Sequence, residues 1–234
     1  MTDAQSIMGG VRAGLQRVRA RLEAAAEAAG RDSRDVRLVA VSKTFPAARV
    51  REALEAGQHD FGENYLQEAL EKIEALAGLP IVWHFIGPIQ SNKTRPIAEH
   101  FHWVHSVDRL KIAERLSAQR PDHLPPLDIC LQVNVSGEAS KSGVSPEALP
   151  ELAGAAARLP RVRLRGLMAI PEPTPDPELQ RRRFEELRAL RDALNRAGLA
   201  LDTLSMGMSD DLESAVAAGA TIVRIGRAIF GERG

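Results

Sequence analysis

Apolar positions along the chain follow two periods, and the change comes at Gly30. Upstream, Ile7, Val11, Leu15, Val18 and Leu22 recur every third or fourth position among arginines and glutamates. That spacing predicts one amphipathic helix over residues 4–30, with Gly30 as its C-terminal stop. Downstream, short apolar or β-branched runs alternate with amphipathic stretches until the chain ends. The runs occupy 38–41, 59–62, 81–86, 103–107, 127–135, 162–168, 203–206 and 221–225, the second and seventh being weak. Helical periodicity lies between them at 47–56, 65–76, 110–119, 146–158, 178–197 and 212–218.

Eight strand candidates, each followed by a helix or a segment able to form one, make a repeated βα unit at a mean spacing of roughly 25 residues. The expected class is α/β, a (β/α)8 TIM barrel with an extra N-terminal helix. Leu38-Val39-Ala40-Val41 is unbroken rather than alternating, as a strand covered on both faces is. An open doubly wound sheet is the competing topology, but no G-x-G-x-x-G turn follows the first strand. No linker divides the chain, so residues 1–234 are expected to form a single domain, with residues 1–30 packed on the barrel. Pro171, Pro173, Pro175 and Pro177 form a rigid loop after the sixth strand.

Composition narrows the chemistry. The 31 basic residues equal the 31 acidic ones, and aromatics make up only 4%, so neither a polyanion nor base stacking is favoured as a binding mode. Nucleic acid and membrane are therefore not expected partners. The single Cys130 lies in an apolar run and reads as a buried small hydrophobe; it cannot form an internal disulfide. No run approaches membrane-spanning length and no apolar signal core opens the chain, so a cytoplasmic protein is expected. His100, His102 and His105 do not share one strand face and have no cysteine or carboxylate in step, so no metal site is expected. His84 either lines the barrel mouth or satisfies the core.

In a parallel barrel, chemistry gathers at the carboxyl ends of the strands. Lys43 sits there, after the first strand and before Pro46 opens a helix. Desolvation at such a position lowers an ammonium from about 10.4 towards neutrality and frees an amine to attack a carbonyl. The alternative is a lysine that reaches past the strand end to solvent. Asn64 follows the second strand. The fifth ends in Asn134-Val135-Ser136-Gly137-Glu138, with Ser140-Lys141-Ser142-Gly143 behind it. Ser209 and Gly226 stand where the last two helices begin, as in an anion cradle. Ser209 could equally be an ordinary N-cap, with Asp210 and Glu213 as a capping box, and Gly226 could serve close helix packing. Arg224, at the end of the eighth strand, could face a pyridine nitrogen or pair with Glu63. No nucleophile elbow, P-loop or Ser-His-Asp arrangement is present.

Taken together, VSKTFP, FGENYLQE, WHFIGPIQSNK, HSVD, VNVSGEASKSG, RLRGLMAI and LSMGMSDDLESAVAAGATIVRIGRAIFG resemble the pyridoxal phosphate homeostasis proteins, from about residue 36 to 231. That small single-domain family is similar to the barrel domain of alanine racemase and other fold-type III enzymes of pyridoxal 5'-phosphate (PLP). The resemblance implies a Schiff base between PLP and Lys43, and phosphate contacts from Ser209 and the backbone amides of Gly226 and Arg227. It also implies Arg224 near the pyridine nitrogen and Asn64 in the pocket wall. Arg227 stands where the family usually carries a hydroxyl residue, often threonine, so a hydroxyl contact is lost. The implied role is to hold PLP, buffer it and transfer it to PLP-dependent apoenzymes, as a monomer with no catalytic residues. A racemase is the alternative. Racemases of this fold carry a tyrosine just after their lysine and another from an added β-domain, whereas Lys43 is followed by Thr44, Phe45 and Pro46, and Tyr65 is the one tyrosine. A lysine aldolase without PLP is disfavoured by the cradle.

Overall fold

The computed structural model describes residues 3–136 and 142–231, with side chains from residue 10 onward. Ile7's side chain, and Gly137, Glu138, Ser140 and Lys141 of the fifth rim loop, lie outside the described residues. Strands β1 (Arg37–Val41), β2 (Asp60–Glu63), β3 (Val82–Phe85), β4 (Trp103–Val107), β5 (Leu127–Gln132), β6 (Val162–Met168), β7 (Thr203–Ser205) and β8 (Ile222–Ile225) pair in chain order, all parallel. β8 returns to β1 from Arg37↔Ile222 through Ala40↔Ile225, and this closure rules out the open doubly wound sheet. The strands are connected by α2 (Ala47–Glu55), α3 (Leu66–Ala75), α4 (Thr94–His100), α5 (Leu110–Gln119), α6 (Leu149–Ala156), α7 (Pro177–Arg196) and α8 (Leu212–Ala217), while α9 (Arg227–Phe230) follows β8.

Three boundaries differ from the sequence reading for local reasons. α4 lacks a visible helical period because it spans only seven residues and buries just Thr94, Ile97 and Ala98. β2 reads weakly because Gly62 occupies it. A Cβ there would lie 3.0 Å from Val39 Cγ1 and 3.1 Å from Ile86 Cδ1, so the crowded interior favours a residue without one. β5 stops at Gln132, and Val133 adds only an isolated bridge to Val144.

The N-terminal helix α1 (Asp3–Ala28) lies across α8 and α9 and buries Val11, Leu15, Val18, Leu22 and Ala26. Gly14 makes this possible, since any Cβ there would overlap the Ile229 carbonyl oxygen. Inside the barrel, Val39, Trp103, Cys130, Met168 and Ile222 form a small apolar plug separate from the main core. Cys130 is fully buried, and burial pushes its thiol well above the ordinary range, so it behaves as the small hydrophobe expected. The interior also buries polar side chains: His84, His105, Ser205 and Arg224.

Candidate ligand site at the barrel rim

β1 ends at Val41, and the turn that follows presents Lys43. Ser42 continues the ladder by donating its N–H to Gly62 O at 3.0 Å, while Thr44 adopts φ 68°, a left-handed conformation that L-residues rarely take. A charged cluster behind the turn holds it. Lys72 of α3 donates to Ser42 O at 2.7 Å, to Glu63 Oε1 at 2.8 Å and to Glu68 Oε1 at 2.5 Å. Ser42 Oγ donates to Glu63 Oε1 at 2.6 Å, and Thr44 N–H donates to Glu68 Oε1 at 2.6 Å. Both flanks of Lys43 are thereby fixed, and Lys43 is half-buried on the wall of a cleft of about 200 Å³. Burial pushes the Glu63 carboxyl up against the pull of Lys72.

Val41, Asn64, Ile86, Ile170, Met208, Ser209, Asp210, Arg224, Gly226 and Arg227 line the same cleft. Asn64 Oδ1 is buried with no hydrogen-bond partner. Gly87 sets the path of that loop, because a Cβ there would overlap the Asn64 backbone carbonyl. Arg224 is 4% exposed and donates to Ser205 Oγ at 2.6 Å and to Ala169 O at 3.0 Å. Burial pulls its pKa down to about 10, with Asp211 opposing, so the guanidinium is charged at neutral pH. No carboxylate hydrogen-bonds to it among the described residues. The expected alternative, an Arg224–Glu63 pair, does not form, because Glu63 faces α3 and is taken by Lys72.

Ser209 also departs from its ordinary reading. The residue before α8 is Asp211, whose Oδ1 accepts from Met208 N–H, and the Asp210–Glu213 capping box is absent. Glu213 is instead paired with Arg21 of α1, which also donates to the Ser209 carbonyl at 2.6 Å, and Asp210 pairs with Arg227 at 2.8 Å. Ser209 remains half-buried on the cleft wall. Gly226 turns directly from β8 into α9, and a Cβ there would stand 3.2 Å from Val41 O. Tyr65 is 51% exposed, and Asp108 turns to Arg109 at 2.7 Å. His84 sits within the barrel rather than at its mouth. No described group of His, Cys, Asp or Glu could hold a metal ion, and no described helix is long and apolar enough to cross a membrane.

The closed parallel barrel brings a half-buried lysine and a buried arginine into one rim cleft. The chain matches the family described as alanine racemase, N-terminal domain, over residues 14–234. Its similarity to a solved alanine racemase of Corynebacterium glutamicum is one of fold: TM-score 0.71 at 16% identity, covering 93% of this chain and 62% of that one. Much nearer is the pyridoxal phosphate homeostasis protein of Pseudomonas aeruginosa, 68% identical over 219 residues and 94% of each chain. The structure of PipY of Synechococcus elongatus with PLP bound is 41% identical, with TM-score 0.79, covering 84% of this chain and 93% of that one. The chain belongs to the pyridoxal phosphate homeostasis family.

Proposed function

We propose that the protein binds PLP in the rim cleft, holds it through Lys43, and buffers and hands on the aldehyde to PLP-dependent apoenzymes without sustained turnover of its own. The observation that carries this reading is that Lys43 shares one cleft with Arg224, a buried cation that hydrogen-bonds to no carboxylate among the described residues. Asp211 offsets that buried charge only through space, so an acceptor supplied by a ligand would complete its surroundings. Asn64 Oδ1 likewise awaits a donor.

The groups of PLP fit the chemistry of these side chains. Lys43 would meet the aldehyde, Asn64 Oδ1 would accept from a donor on the ring, and Arg224 would donate to the ring nitrogen. The Ser209 hydroxyl and the amides of Gly226 and Arg227 would hold the phosphate, as helix-opening N–H groups do. When bound, PLP supplies an aldehyde that condenses with a primary amine, releasing one water, and hydrolysis returns both. Arg224, charged at neutral pH, is a donor only, and a donor facing the ring nitrogen keeps that nitrogen unprotonated and limits the ring as an electron sink. With Tyr65 half-exposed, no tyrosine stands across the cleft from Lys43 to serve as a second acid–base group, which supports holding over racemisation.

Purified protein mixed with PLP is expected to show a visible absorbance band, and borohydride reduction followed by mass spectrometry to place the added mass on Lys43. Lys43→Ala should abolish the adduct; an adduct of unchanged yield on that variant would overturn the assignment. Incubation with L- or D-alanine should leave optical rotation unchanged over many hours, whereas rapid loss would make the protein a racemase.

A further inference from the structure

A continuous chain of hydrogen bonds runs through the barrel from its amino-terminal face to the rim cleft. Asp60, at the start of β2, accepts from His84 Nε2 at 2.9 Å. His84 Nδ1 meets His105 Nε2 at 2.9 Å, and His105 Nδ1 meets Ser205 Oγ at 2.7 Å. Ser205 Oγ accepts from Arg224 at 2.6 Å. His84, His105 and Ser205 are fully buried. They come from β3, β4 and β7, so only barrel closure brings them together.

The proton on each atom follows from the ends of the chain. The Asp60 carboxylate, paired with Arg37 at 3.4 Å, accepts, so His84 carries its proton on Nε2. Its Nδ1 is then the acceptor, and His105 must donate from Nε2. His105 Nδ1 accepts in turn, which commits the Ser205 hydroxyl proton to it and leaves a Ser205 lone pair for Arg224. The reversed order would turn a lone pair of His84 Nε2 against the carboxylate. Burial disfavours the charged form of both rings and keeps each a neutral, one-donor, one-acceptor link.

We infer that Ser205 and His105 are positioning residues for Arg224, holding the plane of its guanidinium through a proton order set by Asp60 on the far side of the barrel. Arg224 has two anchors, Ser205 Oγ and the Ala169 carbonyl. Two anchors fix a planar group, and one lets it pivot, so removing Ser205 turns the remaining N–H groups out of line with the cleft. The inference rests on the PLP reading only for which ligand Arg224 meets.

Long-range proton–nitrogen NMR of the ligand-free protein at neutral pH tests the chain without PLP. Both His84 and His105 should appear as neutral Nε2–H tautomers, and an Nδ1–H tautomer or an imidazolium at either would overturn the proton order. Equilibrium dialysis against PLP tests the consequence. Ser205→Ala should weaken retention roughly tenfold, the scale of one hydrogen bond to a charged group, and alter the induced visible circular dichroism of bound PLP. Ser205→Thr, which keeps the hydroxyl, should restore both. If Arg224→Met loses PLP while Ser205→Ala matches wild type, positioning by Ser205 is wrong and the ligand assignment stands. If Arg224→Met itself retains wild-type affinity and dichroism, the ligand assignment of Arg224 is wrong and the positioning role falls with it.

Discussion

At the scale of single residues, the clearest signals in the sequence were those whose meaning depends on strand ends alone. Lys43 and Arg224 were legible because a buried run stops beside each, and both do line one cleft. Ser209 lines the same cleft, but the capping box read beside it does not form, because Arg21, 188 positions away in sequence, takes both the Ser209 carbonyl and the Glu213 carboxylate. The side chain of Arg227, which could have reached a phosphate, is held by Asp210 in a pair so exposed that it adds little stability. Gly226 separates ligand binding from folding. A valine there must push past the Val41 carbonyl at 3.2 Å and fill the amide turn. Overpacking of that kind costs about 1–3 kcal/mol, while PLP retention is expected to fall by at least tenfold. Melting with and without PLP checks this: Gly226→Val should lose most of the ligand-induced rise in Tm, and a rise equal to that of wild type would remove Gly226 from the site.

Among the elements, α3 contributes more than its amphipathic pattern announced. The sequence reading placed a helix at 65–76 with a buried face, but gave no hint that Lys72, 5% exposed, would be part of that face. The signal was present in the i, i+4 spacing of Glu68 and Lys72, which usually marks a solvated pair. Here the turn after β1 covers the pair and converts it into a clamp on Ser42 and Thr44. Losing one partner of a buried ion pair strands the others, so Lys72→Met is expected to destabilise the fold by about 3–5 kcal/mol in a urea titration. The left-handed Thr44 would lose the Glu68 that anchors it, and Lys43 should capture PLP more slowly at saturating folded protein. A variant with wild-type capture kinetics would show that the strained turn holds Lys43 unaided.

For the whole molecule, the barrel was legible from the βα repeat, while its polar interior was not. His84 and His105 sit 21 residues apart on neighbouring strands and Ser205 another 100 away, and local pattern carries no information about such pairs. Their burial ties global stability to pH. Burial holds the pKa of His84 and His105 below the ordinary 6.5, and His102 moves the same way. Above pH 6.5 neither the folded nor the unfolded chain protonates these rings, so they leave stability flat. Below it, the unfolded chain takes up protons that the folded barrel refuses, and stability falls as pH falls, by up to about 1.4 kcal/mol per pH unit for each ring. Urea unfolding at pH 7.5, 6.5 and 5.5 should give a plateau followed by a drop. His105→Gln, which keeps one donor and one acceptor but cannot titrate, should shallow that drop by one ring's share. Equal slopes for the two proteins would mean that His105 takes a proton in the folded state, and the neutral chain through the barrel would be lost with it.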